Sequence, residues 1–309
     1  MNTKSLMFLA VVAYGASLWA EPLDERHVAA DAKWLVHADF DALRSGPSAN
    51  LLAAKWLHAQ PARLHLAGIR AAVGIDLKRD LHGATLYGRK LAPDRGVLIV
   101  RASLDRPRVT AFMARQPGYA KSGHGSREVH TWTDRRGAAP AAVFAAFDEP
   151  DLLLISRDAD DLAGALAVLD GQAASLADGE SALRGPVPRG AVLVVRAAEL
   201  SQAKLALKSP ILRLSDHLNL TLGETSDGAF AEMHLTATAE AHVSHFHDIA
   251  TGLIALARLM RADDNDFLQL LDSVTLSTEG RTVSARWSGQ LADVLRVIGR
   301  EQKRKQTTD

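Results

Sequence analysis

The order of sequence elements in this chain recurs at a nearly constant spacing, and this recurrence limits the folds open to it. Gly96 and Gly228 each open an apolar, strand-like run, and a helical pattern follows each run. Further on, paired strands and the turns between them recur at offsets of 130 to 132 residues. Such regularity indicates that one structural unit occurs twice. Chance similarity between apolar strands is the alternative.

The chain of 309 residues is long enough for two such units. At roughly 150 residues per domain, we expect two domains, and the glycine- and proline-rich stretch 171–190 is typical of a linker between them. We therefore predict a leader at 1–20, a first unit at 21–180 and a second unit at 181–309. The first half is longer by about 27 residues, which we place at 51–73.

Alternation of polar and apolar residues predicts sheets with one covered face and one open face. Glu232 and His234 should point to one side of a strand, and Met233 and Leu235 to the other. Helical spacing follows at 158–169 and at 239–260. We predict an α+β fold, with two tandem, duplicated units of mainly antiparallel sheet and helices packed on one face. Strands are predicted at 34–38, 84–88, 97–102, 128–133, 142–147, 152–156, 192–197, 218–222, 230–238, 274–279 and 283–288.

The first twenty residues have the layout of a secretory signal peptide. A positive start leads into the apolar run 6–13, and the small residue Ala20 stands just before Glu21. This pattern predicts cleavage after Ala20 and a periplasmic or secreted bacterial protein. An uncut membrane anchor is the alternative, but a span needs about 20 mostly apolar residues. Gly15 and Ser17 interrupt the run.

Composition narrows the partners and the chemistry. Lys and Arg together equal Asp and Glu, at 36 each. A chain this close to neutral has no broad field to attract nucleic acid, so we predict none as partner. The absence of cysteine excludes disulfides, thiolate metal sites and cysteine nucleophiles. No later apolar stretch reaches membrane-spanning length, so we expect no transmembrane helix in the mature chain.

His37, Asp39 and Asp41 are the candidate catalytic residues. Their spacing of two residues would place all three on one face of an extended strand. A histidine and two converging carboxylates can bind a metal or act as a general base. The favoured interpretation instead ends the strand near Asp39 and has Asp41 cap the helix that begins at Ala42. The second half does not repeat the set at the matching positions.

His242 and His245 are the candidate metal ligands, because they lie one turn apart near the start of the longest predicted helix. His247 points about 200° away from His245, and no H-E-x-x-H pattern accompanies the pair. Solvated or capping histidines are the favoured interpretation. We therefore predict no bound metal or other cofactor, with weak zinc or copper binding as the alternative.

Two further motifs have plainer interpretations. The run 122–126 contains Ser122 and His124, the residue types of a nucleophile and its base, but its glycines are typical of a hairpin or surface loop. The acidic run 263–266 lacks the glycine and glutamate that a calcium loop requires at its sixth and twelfth positions. We predict a junction between helices with an N-cap there.

The stretch 32–39, which reads AKWLVHAD, resembles the opening of uncharacterised secreted bacterial proteins. The resemblance covers little of the chain, brings no functional motif and implies only export. We therefore expect a non-enzymatic envelope protein that binds an unknown protein or envelope component, through its polar sheet faces or between its two halves. A periplasmic metal-dependent hydrolase or metal-binding protein is the alternative.

Overall fold

The computed structural model divides into two compact units. The first unit comprises the described residues up to 45 and from 70 to 187, and the second comprises those from 188 onward. The structure describes residues 21–46, 70–76, 78–92, 95–135, 139–202, 210–226, 228–294 and 296–297. The predicted signal peptide and most of the predicted extra stretch 51–73 lie outside these ranges. Within them, no helix is both long and apolar enough to cross a bilayer.

The first unit contains a seven-stranded antiparallel sheet, counted over the described residues, in the order β1-β2-β3-β7-β6-β5-β4. Its described helices include α1 (Phe40–Ser45), α2 (Arg106–Ala114) and α3 (Ala159–Leu169). The strands are β1 (Trp34–Asp39), β2 (Leu81–Gly88), β3 (Val97–Ala102), β4 (Ala120–His124), β5 (Arg127–Asp134), β6 (Ala141–Phe147) and β7 (Leu152–Ser156).

Apolar runs explain where the first core forms. Strand β7 is buried on both faces, because its uninterrupted run of leucines lies between β3 and β6. Val109 and Met113 of α2 pack against Ala145 and Leu153 in one core cluster. Helix α3 begins where its sequence predicts, since the Asp158 carboxylate accepts two backbone N–H bonds of its first turn, each at 3.1 Å.

The second unit contains a five-stranded antiparallel sheet among its described residues, in the order β8-β9-β10-β12-β11. Its helices are α4 (Pro210–Arg213), α5 (Val243–Met260) and α6 (Asn265–Asp272). Asp264 caps α6 by accepting the Phe267 N–H at 3.3 Å, so the predicted junction is confirmed. The strands are β8 (Ala191–Ala197), β9 (Ser215–Thr225), β10 (Gly228–Ala237), β11 (Val274–Glu279) and β12 (Thr282–Gly289).

The two units share their strand order, since β8-β9-β10-β12-β11 matches β1-β2-β3-β7-β6. The α+β class is confirmed, and every strand predicted from the sequence is present. The elements between the third and fourth common strands differ: the first unit has α2 and the hairpin β4–β5, whereas the second has α5 and α6. Strand β4 was not predicted as a strand, because its residues are polar or small and mostly exposed. The predicted hairpin at 122–126 is confirmed.

The stretch 171–190 is mostly packed onto the first unit. Leu176 and Leu183 are fully buried, and the Leu176 N–H donates to the Val28 carbonyl at 2.7 Å. Most of the predicted linker therefore belongs to the first unit, and Leu176 and Leu183 are buried in it. At its end, Gly190 has a φ of +80° and a Cβ there would lie 1.9 Å from the Glu224 carbonyl oxygen. Only glycine fits this position.

Helix α5 is held at its start and exposed along the rest of its length. Val243 and Phe246 are its buried residues, and they pack against Leu235, Ala237 and Val283 of the sheet. From Ile249 onward all its large apolar residues except the half-buried Ile254 are exposed. The first turns of α5 therefore anchor the helix, while its remainder contributes little to the core of its own unit.

We expect Phe246→Ala to lower the free energy of unfolding by about 3–4 kcal/mol, because it removes a buried ring and leaves a cavity. Leu256→Ala on the same helix should change it by less than about 0.5 kcal/mol, because that side chain is 51% exposed. Urea denaturation followed by tryptophan fluorescence measures both. Equal losses in the two variants would show that α5 is packed along its whole length.

Candidate functional site

A polar cluster lies where three neighbouring strands of the first sheet begin or end. Because β1, β2 and β3 pair antiparallel in sequence, the end of β1, the start of β2 and the end of β3 meet at the same edge. Helix α1 starts at this edge and brings Asp41 to it. His82 lies at the start of β2, and Ser103 directly follows β3.

His37 is a buried, neutral histidine with both ring nitrogens occupied. Its Nε2 lies 3.0 Å from the Glu21 carbonyl oxygen, which can only accept, so Nε2 carries the proton. Its Nδ1 then accepts from the Thr85 hydroxyl at 2.8 Å. Burial lowers the pKa of His37 from 6.5 to about 4. This side chain is fixed and is not free to bind a ligand.

Asp39, and not Asp41, caps helix α1. The strand runs to Asp39, whose carboxylate accepts the Ala42 N–H at 2.7 Å, so the predicted capping role of Asp41 is wrong. A cap accepts from the residue two or three positions further along, and this places the role at Asp39. Asp39 also accepts the backbone N–H of Glu21, and burial raises the pKa of its carboxyl.

Asp41 is turned toward β2, where it meets two basic side chains. It is 3% exposed, and one of its oxygens forms an ion pair with the guanidinium of Arg44 one turn later. Its other oxygen lies 3.0 Å from His82 Nδ1. Arg44 also donates to the Leu81 carbonyl at 2.5 Å. The carboxylate is therefore held from two sides.

His82 links Asp41 to Ser103. A carboxylate only accepts hydrogen bonds, so His82 Nδ1 carries the proton and its Nε2 presents a lone pair. That Nε2 lies 3.0 Å from the Ser103 Oγ, so the hydroxyl donates to it. The pairing of β2 with β3 shifts between Leu81 and Gly83, so His82 occupies a β-bulge. Bulges redirect side chains and are frequent next to active sites.

The surroundings of His82 favour the neutral form of its ring. Burial lowers the pKa of His82, and the Arg44 guanidinium lowers it further. Glu21, Asp80 and Asp151 act in the opposite direction with smaller effect. In its neutral form the ring can accept a proton from the Ser103 hydroxyl. The cluster thus contains a carboxylate, a neutral imidazole and an exposed hydroxyl in series.

Beside this series, Glu21 and Arg101 close a small cavity. Arg101 Nε lies 2.7 Å from a Glu21 carboxylate oxygen, and its Nη1 contacts the carboxylates of Glu149 and Asp151 at 3.1 and 2.9 Å. The cavity, which His37 and Arg101 help to line, measures about 20 Å³. This volume accommodates a single water molecule.

The structure separates the three predicted catalytic residues. His37 and Asp39 share one face of β1, but each is bound to its own partners, and only Asp41 joins His82 and Ser103. Sequence reasoning missed His82 and Ser103, since they belong to no local motif. Strand pairing and the bulge bring these two residues together, and the local sequence pattern predicts neither feature.

The histidines of α5 do not assemble with a third ligand. His242 lies in the short 3₁₀ turn before α5 and is half-buried, while His245 is exposed on the helix. His247 lies 3.7 Å from the Asp248 carboxylate. Over the residues that the structure describes, no three His, Asp or Glu side chains converge as a metal site would require.

A second candidate site is the exposed apolar stripe of α5, formed by Ile249, Leu253, Leu256, Leu259 and Met260. Their exposed fractions range from 42% to 76%. At about 100° per residue, the centre of the stripe lies about 100° round the helix from the midpoint of Val243 and Phe246, and Leu253 lies within about 20° of Phe246. The stripe thus begins beside the buried anchor and continues it, exposed, toward the end of the helix.

Comparison with known proteins gives no family for this chain. No protein-family model matches it, and no curated protein matches its sequence. Among solved structures, crystal form III of TP0453 is similar with a TM-score of 0.46 at 10% identity, covering 86% of this chain and 94% of that chain. Crystal form I of TP0453 has a TM-score of 0.44 at 11% identity, covering 91% and 98%.

We expect His37 to make the protein less stable as pH falls from about 6.5 toward 4. In that window the unfolded histidine binds a proton that the folded one, with a pKa of about 4, does not, so the stability lost is about 2–3 kcal/mol in total. Urea denaturation at several pH values measures it. His37→Gln is the control: it should remove this part of the slope while leaving the contributions of Asp39 and Glu21. Parallel curves for the two proteins would contradict the assignment.

Proposed function

We propose that this protein is an exported envelope protein that binds another protein through the apolar stripe of α5. The observation that carries the proposal is the exposure of five large apolar side chains along one helix face. A contiguous apolar patch on the order of several hundred Å² is rare on a monomer unless it is an interaction site. Partners of such a face commonly present an apolar helix or groove.

The charges near the stripe favour a protein over a lipid surface or a nucleic acid. Residues 249–257 contain no charged side chain, whereas helices that lie on membranes carry many Lys and Arg on their polar face. Arg258 of α5 is paired with Asp272 of α6 at 2.9 Å. The balanced charge of the whole chain adds no basic field. The stripe therefore suits a neutral, apolar protein surface.

The environment of Glu21 supports export with cleavage after Ala20, which would make Glu21 the first residue. Its N–H is bound by Asp39, its carbonyl by His37 and its carboxylate by Arg101. Cleavage would turn that N–H into an ammonium beside a carboxylate that is 3% exposed. A bond between an ammonium and a carboxylate is stronger than the bond from an uncharged N–H that it replaces.

Photocrosslinking in the native envelope tests the binding site. A photoreactive amino acid at Leu253 or at Leu256 should give an adduct with the same protein. The exposed Thr251, about 160° away from Leu253 on the helix, is the matched control position and should give none. The purified partner should bind the wild type, and Leu256→Glu should weaken binding at least about tenfold without changing the Tm.

The proposal fails if adducts form only with lipid, only with a second copy of the chain, or equally at Thr251. It also fails if the Leu256→Glu protein binds the purified partner as tightly as the wild type. A lower Tm in that variant would itself contradict the exposed position of Leu256.

Export predicts that the mature protein from the native host begins at Glu21, and mass spectrometry of the intact chain measures this. Asp39→Asn should then destabilise the mature chain by about 3–5 kcal/mol, because it leaves a buried ammonium without its partner. Asparagine still caps α1, so the same substitution should cost less in a chain that retains Ala20. A different amino terminus, or equal costs in the two chains, would refute the proposed processing.

A further inference from the structure

We propose that Ser103, His82 and Asp41 form an acyl-transfer site, in which Ser103 is the nucleophile toward a carboxylic ester. This activity goes beyond binding through α5 and uses residues of the other unit. The two distances of the series, 3.0 Å from Ser103 Oγ to His82 Nε2 and 3.0 Å from His82 Nδ1 to Asp41, are those of a working nucleophile–base–carboxylate arrangement.

The burial of the three side chains follows the order that such a site needs. Asp41 is 3% exposed and the His82 side chain 22% exposed, while Ser103 lies on the surface where a substrate can reach it. The Ser103 N–H donates to the Asp80 carbonyl at 2.6 Å, which fixes the backbone that carries the hydroxyl. Each member is thus positioned by a different element of the sheet edge.

The chemistry balances with these groups and water alone. Ser103 Oγ would attack the ester carbonyl carbon while its proton passes to His82 Nε2, and that proton then leaves with the alcohol as the ester C–O bond breaks. Water would next attack the acyl group on Ser103, again losing its proton to His82. The acid departs, and the proton returns to Ser103. Asp41 would stabilise the imidazolium formed in each half.

The Asp41 carboxylate is not available to His82 alone, because Arg44 also pairs with it. Its guanidinium shares Asp41 with His82, so part of the negative charge that would stabilise the imidazolium is already neutralised. We therefore expect slow turnover. The same contacts also connect α1 with β2 and with the residue that follows β3. If the network has only this structural role, Ser103 will be unreactive.

Labelling with a fluorophosphonate tests the site, because the reagent needs only an activated serine: the Oγ–P bond forms as fluoride leaves. The full chain should be modified at Ser103, as shown by peptide mass spectrometry. Ser103→Ala should abolish the label. His82→Gln, which can still donate to Asp41, should slow it by about 10²-fold or more. Ser122→Ala is the matched control, since Ser122 is an exposed serine of the same unit, and should label as the wild type does.

A second measurement on the wild type does not depend on any variant folding. The labelling rate should be constant at neutral pH and above and should fall in acid as His82 takes up a proton, because the pKa of His82 lies below its ordinary value. The charged groups that face His82 are Asp41 and Arg44 of α1, together with Glu21, Asp80 and Asp151. The proposal is overturned if Ser103 is not labelled, if other serines are labelled at the same rate, or if the rate is the same at every pH at which the chain stays folded.

Discussion

The antiparallel pairing of β1, β2 and β3 is the constraint on which the polar site depends. Backbone hydrogen bonds set this register, and they bring three points, far apart in sequence, to one edge of the sheet. The bulge at His82 then adds one residue to β2 and turns its ring between Asp41 and Ser103. Without that register, the same side chains would be unrelated surface and core groups.

The hydrogen-bonding partners of each polar group in the cluster decide what that group can do. His37 and Asp39 are as buried as Asp41, but backbone groups of Glu21 and Ala42 take up their hydrogen-bonding positions. Those contacts stabilise the fold and hold both side chains in place. Asp41 instead faces two side chains, and one of them reaches a hydroxyl at the surface. The difference between structural and reactive groups is thus one of partners and not of residue type.

The two units have the same strand order but differ in the elements between their third and fourth common strands. The stretch between their third and fourth common strands is nearly equal in length, so the sequence offset stays constant. In the first unit this stretch forms α2 and a hairpin, and α2 packs against the core. In the second it forms the long α5. Only Val243 and Phe246 of this helix are buried, and five of its large apolar residues are exposed. Equal spacing in the sequence therefore did not predict that, of the described helices, only α5 has an exposed apolar face.

The sequence by itself determined the α+β class, the recurrence of strands along the chain and the start of α3, because period-two and helical patterns, turn residues and caps act over short distances. It also marked Asp41 as a residue of interest. Only the tertiary structure decided that Asp39 is the cap, that His82 and Ser103 join Asp41, and that one face of α5 stays exposed. The physical reason is that these features depend on strand pairing, on a bulge and on which surfaces are covered, and a local residue pattern records none of them.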